Sequence, residues 1–514
     1  MLTTIIPANT LGATIAPIYN GHIAIVSHNT DRLMDKKFVY AEMMAMKHNI
    51  QFTSFLHAYG ETTTTKFDGV TIYENTNYGE SLSELQKTGR ISFGLYFRTD
   101  FWVNPRTGNR ETIPDHNSDV WTNTGKLYYP NVVVGQPKVV RYPNHGHQLY
   151  IESNGEFGYN TETQTMGSSN LSETILHANQ QIEYFKNLAN ISITSASYTN
   201  GAFGGWNVLI PFFFGARNSA YGFKGNEGNI KYNGLTRPEM MVEPSTTRTW
   251  DAANAGQFPS QTAAIDYHIS ELQRAIAANG WCSDFCHTHS VSDADDMGFY
   301  DTFWGRVDSE IGSADVWRAG NNEVNEYYVL ANSINRIGSY VHNNKAYFVV
   351  RFKDMFIDTD TNGISNVIDP SKIVTPISIE FDLTGTVLAD KNLKSYQATT
   401  LRSLGSNRWI ANVSPINAYQ NGCLLFEVEE AADNKQIYAS SRPVITRAGD
   451  NIVTDRECKF VIYRKQIGVS DKYWEWIHRT SDFTAGIGYQ FNTSTYTYAV
   501  GAITRSRVSN LITF

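Results

Sequence analysis

The feature of this sequence that most constrains its fold is an alternation of strand-like and helix-like segments before residue 340. Residues 21–57 begin it: HIAIVS is rich in β-branched residues, DKKFVYAEMMAMKHN has apolar residues at helical spacing, and IQFTSFLHA returns to strand character. A strand, a helix and a second strand in this order predict two parallel strands joined by a crossover helix. We therefore expect an α/β domain.

The same alternation returns after residue 168 and extends the predicted domain to residues 1–340. Helices are predicted in SSNLSETILHANQQIEYFKNL, TAAIDYHISELQRAIAANG, FYDTFWGRVDSEIG and NNEVNEYYVLANSINRIG, and strands in NISITSASYT, WCSDFCHTHS and ADVWRAG. Residues 59–155 differ, because short runs such as RISFGLYFRTDFW are separated by Thr, Asn and Gly. We interpret residues 59–155 as a β-rich insertion in the domain.

The texture changes again beyond residue 340. Runs such as KAYFVVRFKDMF, PISIEFDLTGTVL, GCLLFEVEE and CKFVIYRKQI follow one another at intervals of roughly 8–12 residues, with turn residues between them. Regularly spaced short strands of this kind predict an all-β, sandwich-like domain over residues 341–514. We expect this C-terminal domain to serve interactions.

Charge and hydropathy exclude two classes of partner. The 514 residues include 42 Lys and Arg against 50 Asp and Glu, a net charge of -8, which offers no long-range attraction to nucleic acid. The longest apolar stretches, such as residues 208–215, fall short of the ~20 residues that a bilayer requires, so no membrane insertion is expected. The start, MLTTIIPANTLGATIAPIYNGH, lacks the pattern of a secretory signal.

Asp31 is the first candidate for chemistry, because it directly follows the strand HIAIVSHNT. Reactive groups collect at the carboxyl ends of parallel strands, where Asp31 would be a metal ligand or a base. The alternative is an acid that caps the following helix. His287 and His289 stand at another strand end, and two imidazoles two residues apart on an extended segment point the same way. They would bind a metal or supply a general acid, unless the segment is a polar loop.

Two further clusters carry weaker signals. His145 and His147 lie within the predicted insertion. Cys282 and Cys286 precede the histidines of WCSDFCHTH and could share a metal with them. Because four cysteines are too few for a disulfide framework, free buried thiols are the simpler interpretation.

A possible calcium loop follows the start of the predicted C-terminal domain. Asp358, Asp360, Asn362 and Gly363 match D-x-D-x-N-G, and Asp369 places a carboxylate at the twelfth position. The preceding FVVRFKDMFI has strand character, whereas a helix precedes an EF-hand loop. An Asx-rich turn between two strands is therefore the competing interpretation.

Taken in order, these segments resemble the polysaccharide deacetylase family of carbohydrate esterases. IAIVSHNTDRLMD followed by KHNIQFTSFL is similar to the first strand of that family, its T-F-D-D-G motif and its G-I-P-A-T-F-F-L strand. Asp31 then falls on the metal-binding Asp, and Thr30 stands at the position of the catalytic base. GEFGYNTETQTMGSSNLSE resembles E-x-G-N-H-T-x-x-H and puts Asn160 and Gln164 on the two metal-binding histidines.

The later part of the resemblance is carried by two segments. CHTHS is similar to an L-H-x-H segment, and ADVWRAGNNEVNEYY is similar to the closing pattern V-W-x-A-T-x-x-E-x-x-x-Y through Val316, Trp317, Ala319, Glu323 and Tyr327. SITSASYTNGAFG lacks the Arg and Pro of the family's R-x-P-Y-G strand. The resemblance covers roughly residues 15–340 and implies a distorted (β/α) barrel with the β-rich insertion.

The resemblance implies a zinc-like divalent metal that polarises an acetyl carbonyl and activates water. Asn and Gln bind zinc far more weakly than His does. Either the site is degenerate, or a rearranged one forms from Asp31, His287 and His289, with His28 as a further candidate. We expect Asn160, Gln164 and Trp317 to contact the substrate.

The abundance of uncharged polar and aromatic residues, 13% of the latter, is typical of phage tail and virion proteins. Our first hypothesis is a virion protein that binds host surface polysaccharide, associates with other virion proteins or itself, and removes acetyl groups. The alternative is a non-catalytic structural or adaptor protein of the particle, with the barrel as a scaffold. A third hypothesis is a bacterial glycan-modifying enzyme exported without a cleaved signal.

Overall fold

The computed structural model describes most of the chain in separate ranges. They are residues 6–31, 35–56, 66–67, 70–71, 82, 89–96, 101–103, 110–112, 126–127, 141–142, 146–147, 157–158, 171–197, 213–217, 230–231, 253, 256–287, 296–311, 316–353, 356–359, 365–368, 373–415, 423–431, 443–469, 474–504 and 511–514.

The helices lie in the segments in which the sequence predicts them, but the last prediction, over residues 321–338, is too long. This helix ends at Asn332, and the residues from Ile334 form a strand that pairs with Lys345–Phe352. The bounds of the helices are α1 Asp35–His48, α2 Leu171–Ala189, α3 Gln261–Ala277, α4 Asp296–Glu310 and α5 Asn321–Asn332. None of the helices in the described ranges has both the length and the apolar character needed to span a bilayer.

The strands fall into two groups along the chain. Those before residue 320 are β1 Thr14–Ile15, β2 Ala24–Asp31, β3 Phe52–Leu56, β4 Lys66–Phe67, β5 Val70–Thr71, β6 Ile91–Tyr96, β7 Phe101–Val103, β8 Arg110–Thr112, β9 Lys126–Leu127, β10 Arg141–Tyr142, β11 Gly146–His147, β12 Phe157–Gly158, β13 Ser195–Ser197, β14 Gly215–Arg217, β15 Ile230–Lys231, β16 Gly280–His287 and β17 Val316–Ala319. Those after it are β18 Ile334–His342, β19 Lys345–Phe352, β20 Phe356–Thr359, β21 Ser365–Ile368, β22 Ile377–Asp382, β23 Leu393–Lys394, β24 Ala398–Gly405, β25 Arg408–Val413, β26 Cys423–Glu430, β27 Ile445–Ala448, β28 Asn451–Gln466, β29 Glu475–Arg479, β30 Thr484–Gly488, β31 Tyr496–Ile503 and β32 Ile512–Thr513.

A central sheet joins the predicted α/β segments. Its order is β14-β13-β6-β3-β2-β16-β15, and β17 pairs with the first half of β2. The pairings are parallel except that of β15 with β16. Among the described strands, β14 and β15 form the two ends of this path. The prediction of a mixed α/β structure is confirmed.

The two faces of the sheet pack against different layers. Val26 of β2 and Cys282 of β16 join the core formed with α1, α3 and α4, and we name this side the helix-layer face. Ile25 and Trp281, one position away on the same strands, join the core formed with α5 and the strands after residue 334. We name this opposite side the α5 face. Successive residues of a strand alternate between the two faces.

The strand β6 differs from its prediction. It lies within residues 59–155, which the sequence suggests to be an insertion, yet it pairs in parallel with β3 and β13 in the central sheet. A buried strand of a parallel sheet and a strand of a hairpin have similar composition, so the sequence alone does not separate them.

The strands after residue 334 form further antiparallel sheets. Two of them, β18-β19-β26-β23 and β1-β22-β25-β24, share one core with α5. The N-terminal strand β1 belongs to the second of these sheets, because Thr14 pairs with Glu380. A sandwich-like arrangement and a boundary at residue 340, which falls inside β18, stay predictions.

A third sheet, of strands β27 to β32, packs on α1. Val39, Met43 and Met46 of α1 share a core with Val461 and Tyr463 of β28. Since the other side of α1 packs on the helix-layer face, α1 is covered on both sides by sheets. This double coverage explains why α1 carries apolar residues on two sides, Ala41, Met44 and Ala45 on one and Val39, Met43 and Met46 on the other.

Candidate functional site

Asp31 and His287 occupy opposed positions at the carboxyl edge of the central sheet. Asp31 is the last residue of β2 and His287 the last of β16, and the parallel register pairs them directly. Adjacent strands lie about 4.8 Å apart, so the two backbones are close. Both positions belong to the α5 face, as do Ile25 and Trp281. The structure thus brings together these two residues of the predicted site.

The chemistry of this pair fits part of a divalent-metal site. One carboxylate and one imidazole are two of the donor types that zinc accepts. His289, Asn160 and Gln164 lie outside the described residues. Within the part of the chain that the structure describes, no group of three His, Cys, Asp or Glu side chains could hold a metal. The zinc-like site therefore stays a prediction with two of its residues adjacent.

Thr30 and His28 stand on the other face of β2. Thr30, at the position of the base in the resemblance, pairs in register with Cys286, which belongs to the helix-layer core, and its side chain is fully buried. A side chain at this position is directed away from the face that holds the Asp31 and His287 positions. The strand geometry therefore gives no general base at residue 30.

His28 belongs to a buried polar cluster beneath the helices. Its Nδ1 lies 3.9 Å from Oδ2 of Asp284, its Nε2 lies 3.9 Å from Sγ of Cys286, and its ring centroid is 3.8 Å from that of Tyr300. The Tyr300 hydroxyl donates to Asp284 over 2.5 Å. The contacts from Cys286 through His28 to Asp284 resemble a nucleophilic Cys-His-Asp triad. All three side chains are buried, however, so a substrate would not reach the thiol. The structure therefore separates His28 from Asp31 and His287.

Cys282 carries no sign of reactivity. Burial raises the pKa of the Cys282 thiol well above its usual range, with the charges of Asp284 and Glu271 adding to the effect. Burial lowers the pKa of the nearby His268, whose ring stacks on Phe303 at 3.9 Å. A neutral thiol and a neutral imidazole in a packed core are structural groups.

Trp317 lies toward the other end of the sheet. It pairs in register with Ile25, six residues before Asp31, a separation of about 20 Å along an extended strand. Its indole is buried against Tyr19 and Tyr327, at centroid distances of 5.1 and 5.6 Å. The structure therefore does not bring Trp317 to the Asp31 and His287 positions, and its predicted role in binding the same substrate remains untested.

The predicted calcium residues are only partly described. Asp358 lies in β20, which pairs with β21 so that Asp358 opposes Asn366. Asp360, Asn362 and Asp369 are outside the described residues, and the calcium loop stays a prediction. The same holds for the histidines of the predicted insertion: His147 ends β11, and His145 is not described.

A cavity of about 700 Å³ opens beside Trp317, at the amino ends of the parallel strands. Its wall includes Glu323 of α5, whose carboxylate accepts a hydrogen bond from the Ser92 hydroxyl over 3.3 Å. Burial, together with the charge of Glu326, raises the pKa of Glu323 to about 7. The sequence resemblance includes Glu323 as a motif residue, but it gives no sign of the cavity.

Glu326, one turn after Glu323 on α5, is a structural acceptor of hydrogen bonds. Its Oε2 accepts hydrogen bonds from the backbone N–H groups of Val374 and Thr375, both over 3.0 Å, and from the Thr375 hydroxyl over 2.8 Å. Burial raises its pKa, although these hydrogen bonds oppose the shift. Glu326 thereby fixes the segment before β22 to α5.

Comparisons with known proteins give weak similarities. No family model matches the sequence, and no curated protein matches it. Among solved structures, the chain is similar to a protein from Mycobacterium smegmatis assigned as a polysaccharide deacetylase, with TM-score 0.32, 10% identity, and coverage of 63% of this chain and 95% of that one. A CE4 family pseudoenzyme from Bacillus anthracis gives TM-score 0.28, 9% identity, and coverage of 59% and 65%.

A GH30 endoxylanase from Clostridium papyrosolvens gives a TM-score of 0.27 at 10% identity, covering 83% of this chain and 100% of that one. The chain is thus weakly similar in structure to polysaccharide deacetylases, including a pseudoenzyme. Similarities at these TM-scores do not assign a family, an activity or a substrate.

Proposed function

We propose that this protein binds an acetylated surface polysaccharide at the carboxyl edge of the central sheet and removes acetyl groups from it. The observation that carries the proposal is the register pairing of Asp31 with His287, the last residues of two neighbouring parallel strands. Ligands of α/β sheets bind outside the carboxyl ends of the strands. Two potential metal donors meet at that edge.

In this proposal Asp31 and His287 hold a divalent metal, with His289, two residues beyond His287, as a further donor. The metal, when bound, supplies a Lewis acid for the acetyl carbonyl and for water. The chain itself contributes the fixed spacing of the two ligands, because both sit on paired strands rather than on separate loops.

We further propose that the protein works on a virus particle, at the surface of the host cell. The neutral polar and aromatic composition supports this proposal, since such surfaces suit contact with glycans. The C-terminal strands would then serve contacts with other virion proteins or with a second copy of the chain.

The test is the metal content of the purified full chain after incubation with zinc, nickel or cobalt and gel filtration. Wild type should retain about one metal per chain, and Asp31→Ala and His287→Ala should each lose it. His342→Ala and Asp482→Ala are matched controls that remove the same side-chain types. Both side chains are exposed, and both residues follow Asp31 and His287 in the chain by more than 50 positions. Wild type, but neither site variant, should release acetate from acetylated polysaccharides. If the wild-type protein retains no metal while all variants are folded, the proposed hydrolase function is contradicted.

A second candidate function is supported by the position of Thr30. Because the base position carries a buried hydroxyl on the helix-layer face, the strand offers no carboxylate for proton transfer there. Loss of a general base costs on the order of 10²–10⁴ in rate. The chain would then be a non-catalytic structural or adaptor protein that keeps the fold as a scaffold. Metal retention and polysaccharide binding without acetate release would favour this candidate.

A further inference from the structure

The cavity at the amino ends of the parallel strands is built from three separate parts of the chain. Gln51 and Ser92 stand at the starts of β3 and β6, and Glu323 lies in the first turn of α5. The third wall comes from the C-terminal strands, through Thr375 and Thr399. With a volume of about 700 Å³, the cavity falls in the range of small-molecule sites, roughly 300–1,000 Å³.

Hydrogen bonds within the chain hold these walls in place. Glu326 binds the backbone of Val374 and Thr375, as described above. On the opposite side, the Asn20 backbone N–H donates to the Ser378 hydroxyl over 2.7 Å, and Nδ2 of Asn412 donates to Oδ1 of Asn20 over 3.0 Å. These bonds fix the short helical turn that carries Tyr19. A cavity whose walls are fixed in advance costs less ordering on binding.

The lining has the chemistry of a site for a neutral hydroxylated ligand. Amide and hydroxyl side chains recur around it, and a partly exposed aromatic ring, Tyr19, lies against Trp317. The neutral polar groups in the lining include Gln51, Asn49, Ser92, Asn190, Thr399 and Asn412, and its ionisable groups are His22, His48, Arg90, Asp308, Arg318, Glu323 and Glu326. Aromatic faces with surrounding hydrogen-bonding groups suit sugar rings, which have apolar faces and polar edges.

The charges in the lining argue against an ionic ligand. The charge of Arg90 favours the Glu323 carboxylate, but burial and the charge of Glu326 outweigh it and raise the pKa of Glu323 to about 7. Arg318 is already engaged, because its Nη1 donates to Oδ1 of Asp308 over 2.5 Å and to the His48 carbonyl over 2.8 Å. His48 is likewise held between the carboxylates of Asp301 and Asp308. A phosphate or sulfate would meet these engaged cations together with three carboxylates of the lining, and a purely apolar ligand would leave the amides unpaired.

We propose that this cavity is a carbohydrate-binding site for a short neutral saccharide, with Tyr19 beneath a sugar ring and the Glu323 carboxylate accepting hydrogen bonds from its hydroxyl groups. The site is separate from the Asp31 and His287 positions and uses none of the residues in the proposed hydrolytic site. A protein with both sites would hold a glycan chain at two points, which raises its overall affinity through effective concentration.

The test measures binding of N,N′-diacetylchitobiose, cellotriose and maltotriose to the full chain by calorimetry and saturation-transfer NMR. We expect at least one probe to bind saturably, and both Tyr19→Ala and Glu323→Gln to weaken it by about tenfold or more. Tyr396→Ala and Glu310→Gln are the matched controls, since both residues are exposed and neither lines the cavity. Asp31→Ala should bind the same probe normally, whatever its effect on metal or acetate release.

A labelling experiment covers the case in which the cavity variants fail to fold. Ser192 is exposed at the cavity, so Ser192→Cys places a thiol there without removing a buried group. The bound saccharide should slow its reaction with a maleimide by about threefold or more, against the background of the natural Cys423, which is only partly buried. Binding that persists in folded Tyr19→Ala and Glu323→Gln, or that Asp31→Ala abolishes, would overturn the proposal. So would the absence of binding by all three probes.

Discussion

Two regions of β structure dock on the central α/β part, and each uses one buried glutamate in a different way. The strands β27 to β32 meet α1 at Glu42, whose carboxylate accepts hydrogen bonds from Arg479, Trp476 and Tyr463 over 2.6–3.1 Å. The segment before β22 meets α5 at Glu326, which receives its bonds from backbone N–H groups and hydroxyls.

The difference is one of charge compensation. At the α1 junction a guanidinium, itself 10% exposed, balances a carboxylate with no exposure at all. At the α5 junction the donors to the Glu326 carboxylate are backbone N–H groups and hydroxyls, the nearby acid is Glu323, and burial raises the pKa of Glu326. A paired buried charge is costly to break, whereas a carboxylate held by neutral donors can be replaced by a neutral group of the same shape. Substitution of the glutamate by Gln should therefore lower the free energy of unfolding strongly at the α1 junction and little at the α5 junction.

The largest effect is expected for Glu42→Gln. This change leaves the Arg479 guanidinium buried beside a neutral amide, and breaking a buried pair in this way costs about 3–5 kcal/mol. Urea unfolding followed by tryptophan fluorescence reports on this junction, because Trp474 and Trp476 lie in it. Glu475→Gln is the control, since the side chains of its pair with Arg464 are 47% and 33% exposed and such a pair is worth roughly 0–1 kcal/mol. Equal losses in the two variants would show that the buried pair has no special weight.

The second effect is a fall in the free energy of unfolding as the pH rises from 4.5 to 7. Glu323 and Glu326 have pKa values above the usual value in the folded chain, so the folded state binds more protons than the unfolded state in this window. For Glu323, with a pKa of about 7, the loss should amount to about 1–3 kcal/mol.

Glu323→Gln should flatten this decline, and the double variant with Glu326→Gln should flatten it further. Glu310→Gln should leave it unchanged, because Glu310 is an exposed acid paired with Arg306 on α4. Urea titrations at several pH values measure the slope directly. A slope that persists in the double variant would assign the pH dependence to other groups.

A smaller effect is expected at His48, the last residue of α1. Burial alone would lower the pKa of His48, but hydrogen bonds of 2.7 Å to Asp301 and to Asp308 outweigh it and raise the pKa. Its stabilisation is therefore complete below pH 6.5 and is lost as the pH rises through the raised value. His48→Gln should cost about 1 kcal/mol at pH 6, after allowance for the solvent exposure of both carboxylates.

The deficit of His48→Gln relative to wild type should shrink at pH 9, measured by the same urea titration. His342→Gln serves as a control, because His342 is exposed. A deficit that does not change between the two pH values would mean that His48 acts through packing rather than through its charge.

The sequence predicts local structure well and long-range pairing poorly. The five described helices and the neighbouring positions of Asp31 and His287 follow from periodicity and from the rule that parallel strands end at one edge. The place of β6 in the central sheet and the pairing of β1 with β22 do not, because the partners lie far apart in the chain.

The two junction glutamates show the same limit at the level of single residues. Glu42 interrupts the apolar run AEMMAM, and an acid in a helix that is otherwise buried is a sign that a partner is present. That partner, Arg479, lies 437 positions away in the chain, so the residues around Glu42 do not identify it. Glu326 carries even less signal, because its main partners are backbone groups that every residue possesses.

The smallest effect is expected for Glu326→Gln, which makes at the α5 junction the same change that Glu42→Gln makes at the α1 junction. Three donors converge on Oε2 of Glu326, and the amide oxygen of Gln can accept from the same three. The amide nitrogen would then face the Thr194 hydroxyl, which now donates to Oε1 and can accept instead. We expect a change of at most about 1 kcal/mol, because one hydrogen bond is exchanged for another.

Glu326→Ala provides the contrast at the same position, since it leaves the Val374 and Thr375 donors without their acceptor and should cost about 1–3 kcal/mol. Above pH 7 the Gln variant should equal or exceed wild type in stability, because it avoids burying a negative charge. If Glu326→Gln instead costs as much as Glu42→Gln, the carboxylate charge matters at both junctions. The distinction between compensation by a cation and compensation by dipoles would then fail.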